Sequence, residues 1–234
     1  MTASNPICVA LDTPDLDRAI ALARALKPHA GYMKVGMEFF YAHGAAGYAR
    51  VAAAGLPVFL DLKLHDIPNT VASAMASLMR LTPAPAIVNV HATGGLDMMK
   101  AAVDAVAGRS KLIAVTILTS LSDDDIWAAG FETAKDTQSH ARSLAELAKR
   151  AGLDGVVCSP HDLVGIRHDL GRDFLTVVPG IRPADSGAQD QKRVATPADA
   201  IKAGADILVI GRAITSAPDP AKAAQAISAS FYAS

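Results

Sequence analysis

The sequence predicts an α/β fold of the (β/α)8 TIM barrel class, with residues 1–234 forming a single domain. Eight short apolar segments recur along the chain, and stretches with helical periodicity lie between them. Continuous apolar strands that alternate with helices are typical of a parallel sheet covered by helices. The length of 234 residues suits one barrel of about 250 residues, and no linker divides the chain.

The predicted strands and helices alternate along the whole chain. The strands are 7–11, 32–36, 57–62, 86–91, 112–118, 155–159, 174–178 and 207–210, and the clearest helices are 16–26, 71–81, 96–106 and 139–151. Thr13-Pro14 and Thr196-Pro197 indicate helix starts, with threonine as the cap and proline at the first helical position. An open doubly wound sheet is the alternative, but no glycine-rich dinucleotide fingerprint follows the first strand, which continues Asp12-Thr13-Pro14-Asp15.

Composition and charge restrict the classes of partner and the location. Hydrophobic residues make up 51% of the chain, which excludes a disordered protein, and a net charge of -1 with no basic run argues against nucleic acid. The apolar runs are shorter than the roughly 20 residues of a membrane-spanning helix. Folding signals begin at Pro6, ahead of which a signal peptide has no room, and Cys8 and Cys158 lie in apolar strands. We therefore expect a cytoplasmic protein with reduced thiols and a small-molecule ligand.

Charged residues cluster where predicted strands end. Asp12 ends the first strand, Lys34 lies in the second, Asp61 and Lys63 end the third, and Asp66 follows it. Active sites of barrels lie at these C-terminal strand ends, and residues two apart on a strand share a face. A structural ion-pair network is one interpretation, and Asp66 as a cap of the next helix is another. Burying several charges is costly, however, so their presence favours a function.

Two later loops have the composition of a phosphate site. Pro179-Gly180-Ile181-Arg182 follows the seventh strand and Gly211-Arg212 follows the eighth. Barrels frequently bind phosphate at these loops, where glycine allows close backbone approach and arginine offers a planar donor fork. The stretch 182–195 resists assignment, and loops of this length are commonly lids. The residues alone thus predict a phosphorylated small-molecule substrate handled by lysine and carboxylates.

The segment Asp61-Leu62-Lys63-Leu64-His65-Asp66-Ile67-Pro68-Asn69-Thr70 closely resembles the signature segment of orotidine 5'-monophosphate decarboxylases, which carries an Asp-x-Lys-x-x-Asp core. The resemblance covers essentially the whole chain. Its other segments, in the family's order, are Ala10-Leu11-Asp12, Lys34-Val35-Gly36, Val115-Thr116-Ile117-Leu118-Thr119-Ser120, Pro179-Gly180-Ile181-Arg182-Pro183, Asp190-Gln191 and Ile210-Gly211-Arg212.

The resemblance implies a metal-free and cofactor-free lyase that converts orotidine monophosphate to uridine monophosphate and CO2, the final step of de novo pyrimidine nucleotide biosynthesis. It implies a homodimer in which Asp66 and Thr70 reach the neighbouring subunit's site. The implied catalytic residues are Lys34, Asp61, Lys63 and Asp66. The resemblance also implies contacts to each part of the substrate. These are Asp12, Lys34 and Thr70 at the ribose, Thr119 at the pyrimidine edge, Gln191 between base and phosphate, and Pro179, Arg182, Gly211 and Arg212 at the phosphate loops.

The implied chemistry explains why such an array is needed. Loss of CO2 from C6 of the pyrimidine leaves electrons in an in-plane orbital that the ring cannot delocalise. A fixed ammonium at Lys63 would stabilise this carbanion and then protonate it, with Asp61 and Asp66 favouring the charged lysine. A further hypothesis is that Asp61 crowds the substrate carboxylate and destabilises the ground state.

Two other functions remain as alternatives. Related barrels that act on sugar phosphates, such as 3-keto-gulonate-6-phosphate decarboxylase and hexulose-6-phosphate synthase, also carry an Asp-x-Lys-x-x-Asp segment and use Mg2+. In that group a carboxylate stands at the position that resembles Lys34, so Lys34 and the continuation Ile67-Pro68-Asn69-Thr70 favour the pyrimidine enzyme. A non-catalytic nucleotide-binding module is the second alternative, which the complete set of charged residues disfavours.

Overall fold

Eight parallel strands form a closed barrel in the computed structural model, which describes residues 5–182 and 195–231. Each strand pairs with its neighbour in the sequence, and the first pairs with the last through Ile7 and Leu208, which closes the barrel. The strands are β1 Ile7–Ala10, β2 Tyr32–Gly36, β3 Val58–Leu64, β4 Ile87–His91, β5 Lys111–Val115, β6 Gly155–Val157, β7 Leu175–Val178 and β8 Ile207–Ile210. The predicted TIM barrel is therefore confirmed, whereas the single-domain extent over residues 1–234 stays a prediction.

Helices follow the strands and cover the outside of the barrel. They are α1 Leu16–Leu26, α2 Met37–Ala52, α3 Pro68–Leu78, α4 Gly95–Val106, α5 Asp123–Ala128, α6 Thr137–Arg150, α7 Leu163–Leu170, α8 Pro197–Ala203, α9 Arg212–Thr215 and α10 Pro220–Ser230. None of the helices within 5–182 and 195–231 is long and apolar enough to cross a membrane.

Helix starts follow the local capping chemistry. The Thr196 hydroxyl accepts from the N-H of Asp199 and Pro197 opens α8, as predicted. The predicted start at Thr13-Pro14 is wrong, because the Asp15 carboxylate caps the N-H of Arg18 and α1 begins at Leu16. The Thr13 hydroxyl instead accepts from the N-H of Asp15.

The fifth strand is shorter than predicted. It ends at Val115, whereas the apolar run continues to Leu118. Ile117 packs with Ile126 and Ala141 in a small cluster beside the barrel, so its apolar character reflects this packing and not strand pairing. A short apolar run does not by itself distinguish these two environments.

The barrel interior changes from apolar to polar along the strands. Its middle is filled by a cluster of inward side chains from six strands: Cys8, Phe59, Ile87, Ile113, Val177 and Ile207. Since side chains alternate along a strand, the next inward residue after Phe59 is Asp61, and the next after Ile87 is Asn89. The apolar cluster thus forms a floor under polar groups at the C-terminal ends.

Ion pairs connect neighbouring segments at the opposite end of the barrel, where the strands begin. Arg167 of α7 donates to the carbonyls of Gly204 and Phe174, at 2.8 and 2.7 Å, and pairs with the carboxylate of Asp206. At the start of β5, Lys111 pairs with Asp154 at 2.6 Å. In barrels this face contributes to stability, while the chemistry occurs at the other end.

Candidate active site

Four charged side chains form a chain of alternating sign at the C-terminal ends of the first three strands. Lys34 Nζ lies 3.0 Å from Asp12 Oδ1 and 3.3 Å from Asp61 Oδ2. Asp61 Oδ1 lies 2.6 Å from Lys63 Nζ. The structure thus brings together four of the residues that the sequence predicted, in the order Asp12, Lys34, Asp61, Lys63.

The centre of this array is both buried and ionised. Asp61 is 7% exposed and Lys34 is 8% exposed. Burial by itself opposes the charge of Asp61, but Lys34 and Lys63, with hydrogen bonds from Lys63 and Asn89, outweigh it and hold the pKa of Asp61 below its ordinary value. Burial likewise opposes the charge of Lys34, but Asp61 and Asp12 raise its pKa above the ordinary value. Both groups therefore carry their charges at neutral pH.

The backbone of Lys63 adopts a conformation that is rare for a side-chain-bearing residue. Its φ is +52°, in the left-handed region. Such a conformation costs about 1–3 kcal/mol and persists only when surrounding contacts impose it. The pairing of β3 with β4 is interrupted here, because Leu60 opposes Val88 whereas Leu64 opposes Val90. Two additional residues of β3 therefore bulge at the position that carries Lys63.

Asn89 of β4 was not predicted as a site residue, and it contacts this bulge. The side chain is 1% exposed. Its Oδ1 accepts from the Lys63 N-H at 2.8 Å, and its Nδ2 donates to Asp61 Oδ1 at 2.7 Å. The available signal was one amide at an inward position of the otherwise apolar run 87–90.

A cavity of about 880 Å³ opens above the charged array, within the size range of small-molecule sites. Its apolar walls include Phe59, Val115 and Val157. The predicted site residues that line it are Asp12, Lys34, Asp61, Lys63, Thr119, Pro179, Arg182, Gly211 and Arg212. Arg18 and Thr215 also line it, and Arg18 Nη2 donates to the Thr215 carbonyl at 3.3 Å. The phosphate-loop residues and the charged array thus share one cavity.

Asp66 and Thr70 do not line this cavity. Every residue of 65–70 is exposed in the single chain, and no ion pair of the described residues includes Asp66. The Asp66 carboxylate accepts from the N-H of Ile67 at 2.7 Å, and Ile67 is the residue that precedes α3. The interpretation of Asp66 as the cap of that helix is therefore wrong.

The segment after the seventh strand is joined at its base. Arg182 N-H donates to the Ala195 carbonyl at 3.0 Å, and Ala195 N-H donates to the Gly180 carbonyl at 3.2 Å. Gln191 and the rest of 183–194 lie outside the described residues, so their predicted roles stay predictions. The two hydrogen bonds place both ends of the segment at the edge of the cavity.

Two histidines stand near the array. The rings of His65 and His91 are 5.6 Å apart. Burial, with smaller contributions from His65 and Lys63, lowers the pKa of His91, so it is neutral at neutral pH.

Within 5–182 and 195–231, no group of three or more histidine, cysteine or acidic side chains is placed to hold a metal ion.

The stability of the array is expected to depend on pH through Asp61. A carboxyl whose folded pKa is lowered stabilises the fold above its ordinary pKa of 3.8, and this stabilisation is lost as pH falls through the folded value. Asp61→Asn is expected to lower the free energy of unfolding by about 3 kcal/mol at pH 7, because it leaves two ammonium groups without their shared partner. The difference from the unmodified protein should shrink below pH 3.8.

Urea unfolding at pH 7 and pH 3 measures this effect. Glu132→Gln is the control for the size of the effect at pH 7, because Glu132 pairs with Lys135 on the exposed surface, where loss of an ion pair should change the free energy of unfolding far less. An Asp61→Asn loss of equal size at both pH values would contradict the assignment of a lowered pKa to Asp61.

Known proteins resemble the chain over nearly its whole length. The model of the orotidine 5'-phosphate decarboxylase / HUMPS family matches residues 5–227. A protein of Novosphingobium aromaticivorans named orotidine 5'-phosphate decarboxylase is 53% identical over 228 residues, which is 97% of this chain and 100% of that protein. One of the same name from Erythrobacter litoralis is 52% identical with the same coverage. The crystal structure of orotidine 5'-phosphate decarboxylase from Lactobacillus acidophilus superposes with a TM-score of 0.84 at 38% identity, covering 98% of this chain and 100% of the other.

Proposed function

Since the chain belongs to the orotidine 5'-phosphate decarboxylase / HUMPS family, we propose that it converts orotidine 5'-monophosphate to uridine 5'-monophosphate and CO2. This reaction is the final step of de novo pyrimidine nucleotide biosynthesis. The observation that carries the proposal is the ion-paired series Lys34, Asp61, Lys63, which ends on a lysine in the cavity. The proposal is also supported by relatives named orotidine 5'-phosphate decarboxylase, which match this chain over nearly its whole length.

The substrate would bind across the cavity with its phosphate at the loops after β7 and β8. Arg212 and Arg182 line that side, and Gly211 offers backbone without a side chain. Asp12 and Lys34 would hold ribose hydroxyls, at 3.0 Å from one another. Thr119 would contact the pyrimidine edge from the segment after β5. Pro179, Thr70 and Gln191 complete the proposed set of substrate contacts.

Bond breaking would be supported by electrostatics. The bond between C6 and the carboxylate breaks, CO2 leaves, and the electron pair stays on C6. Lys63 would stabilise this pair and then transfer a proton from Nζ to C6, after which Lys63 regains a proton from water. A fixed ammonium accelerates the step because it binds the carbanion-like transition state more tightly than the substrate. Asp61 at 2.6 Å favours the charged lysine and limits where its Nζ lies.

Asp61 has a second proposed role in destabilising the bound substrate. Its carboxylate is buried and fixed by donors from Lys34, Lys63 and Asn89, so it has little freedom to retreat from a second carboxylate. Such crowding would raise the energy of the ground state and be relieved as CO2 leaves. A ligand complex in which Asp61 points away from the carboxylate position would refute this role.

A homodimer is proposed to complete the site. The exposed run 65–70 carries Asp66 and Thr70, and between them lies a large apolar side chain, Ile67, which is 66% exposed. Exposed apolar groups beside polar functional groups are typical of a surface that a partner covers. Covering by a second copy would bring Asp66 of each subunit to Lys63 of the other.

The proposed reaction uses neither metal nor cofactor. Lys34 Nζ occupies the space between the carboxylates of Asp12 and Asp61, where its positive charge would repel a cation. This placement favours the pyrimidine reaction over the Mg2+-dependent sugar-phosphate reactions of related barrels. A nucleotide-binding module without turnover would have no use for a lysine at this position. We also propose that the enzyme acts in the cytoplasm, where its two buried cysteines stay reduced.

The segment 182–195 is proposed to close over the phosphate. Its two ends, Arg182 and Ala195, are joined by a backbone hydrogen bond at the edge of the cavity. Closure would exclude water and use binding energy from the phosphate to assemble the site. The same ordered conformation of this segment in crystals with and without uridine monophosphate would refute closure.

Absorbance of orotidine monophosphate tests the proposed reaction directly. Purified protein is expected to convert it rapidly, and an excess of EDTA should leave the rate unchanged. Absence of conversion by a folded dimer, combined with turnover of a sugar phosphate when Mg2+ is added, would favour the sugar-phosphate reaction. Tight binding of uridine monophosphate without turnover of either substrate would favour the binding module.

A further inference from the structure

Asn89 uses both ends of its side-chain amide on the strand that carries Asp61 and Lys63. Its Oδ1 accepts from the backbone N-H of Lys63 at 2.8 Å, and its Nδ2 donates to Asp61 Oδ1 at 2.7 Å. The same Asp61 oxygen accepts from Lys63 Nζ at 2.6 Å. One residue of β4 therefore connects the backbone of Lys63, the carboxylate of Asp61 and, through that carboxylate, the ammonium.

The amide also compensates for missing strand pairing. Regular pairing of β3 with β4 stops at Leu60 opposite Val88 and resumes at Leu64 opposite Val90, so Asn89 alone faces the bulge. The Lys63 N-H finds its partner in the asparagine side chain. A buried backbone N-H without a partner is strongly unfavourable, so this bond supports the left-handed φ of +52° at Lys63.

We infer that Asn89 is a positioning residue, which holds Lys63 in its left-handed backbone conformation and fixes the Asp61 carboxylate, so that the Lys63 ammonium points at the reacting carbon. The inference rests on the proposed decarboxylation. Asn89 does not line the cavity, so it acts through Lys63 and Asp61 and not through the substrate. An asparagine is suited to the role because one side chain supplies a neutral donor to a carboxylate and an acceptor to an amide.

Asn89→Ala removes both bonds and should lower kcat by about 100-fold, the usual scale for a misplacement of about 1 Å at a reacting group. KM for orotidine monophosphate should change by less than threefold, because the cavity-lining residues are retained. Ser110→Ala is the matched control. Ser110 is also buried and its hydroxyl donates to the Pro85 carbonyl, ahead of β4, so the variant should lose stability with kcat unchanged.

Asn89→Asp separates positioning from simple loss of packing. A carboxylate at 89 would face Asp61 and Lys63 of β3, with Lys34 of β2 behind Asp61 and His91 further along β4, while its β5 neighbour Ile113 is apolar. Ionised, it repels Asp61 and cannot donate. Protonated, it has one donor and one acceptor as the amide does. The activity of Asn89→Asp relative to the unmodified enzyme should therefore rise at least tenfold between pH 8 and pH 5.5.

A crystal structure of Asn89→Ala provides a test that does not depend on activity. Residue 63 is expected to leave the left-handed region, with Lys63 Nζ displaced from Asp61. The inference is overturned if residue 63 keeps its conformation and ion pair, if a folded Asn89→Ala keeps kcat within threefold, or if Asn89→Asp shows a pH-independent relative activity. Failure of the unmodified enzyme to convert orotidine monophosphate would instead refute the proposed function, and the crystal structure would still decide the placement of Lys63.

Discussion

Lys63→Ala is expected to lower kcat for orotidine monophosphate by at least about 10⁴-fold, because it would remove both the proposed electrostatic stabilisation and the proposed proton donor. Each of these contributions typically accelerates a reaction by about 100-fold or more. Lys63 lines the cavity and is the more exposed of the two lysines in the array, with its ammonium on the carboxylate of Asp61. Affinity for uridine monophosphate should fall far less, since the phosphate loops are unchanged. Absorbance assays with prolonged incubation measure the residual rate.

Lys111→Ala is the matched control for this variant. Lys111 pairs with Asp154 at 2.6 Å, the same separation as between Lys63 and Asp61, but at the opposite end of the barrel. Its loss should leave kcat unchanged. A residual kcat in Lys63→Ala within tenfold of the unmodified enzyme would show that another group stabilises and protonates C6.

Mixing two inactive variants is expected to restore activity if Asp66 serves the neighbouring subunit. In a hybrid of Lys63→Ala and Asp66→Ala chains, one site carries both substitutions and the other carries neither. Random exchange in equal amounts makes about half of the dimers hybrids with one intact site each, so recovery should approach about a quarter of full activity. Differently tagged chains, co-expressed and purified through both tags, measure the hybrid directly.

A second pair of variants serves as the control for the mixing experiment. Hybrids of Lys63→Ala with Asp61→Asn should stay inactive, because Lys63 and Asp61 contact each other within one chain and each hybrid site carries one substitution. If purified hybrids of Lys63→Ala with Asp66→Ala also stay inactive, Asp66 serves its own subunit and the proposed arrangement of the dimer is wrong.

The barrel and the charged array in its cavity were predictable from the sequence because both depend on regular patterns. Strand and helix alternate with distinct periodicities, and the charges at strand ends interrupt apolar runs where barrels place active sites. Asp12, Lys34, Asp61 and Lys63 could therefore be selected from one sequence. Their actual separations, and the ionised state of the buried pair Lys34 and Asp61, depend on the three-dimensional arrangement of the strands.

Asn89 was missed because its role depends on an irregularity that sequence does not display. The bulge in β3 gives Lys63 a left-handed backbone, and neither the lysine nor its neighbours are residue types that favour this conformation. The prediction of Thr13 as the cap of α1 was wrong for a related reason. Thr13 and Asp15 both had suitable side chains, and only the geometry selects Asp15.

The hydrogen bonds that join Gly180 and Arg182 to Ala195 have a consequence for how such enzymes diverge. Because Gly180 and Arg182 are joined to Ala195 by backbone hydrogen bonds, the chain leaves and re-enters the barrel at one fixed place. Lengthening a loop whose ends are already held together costs little free energy. Insertions and deletions between these anchors are therefore expected to leave Arg182, the barrel and its charged array in place.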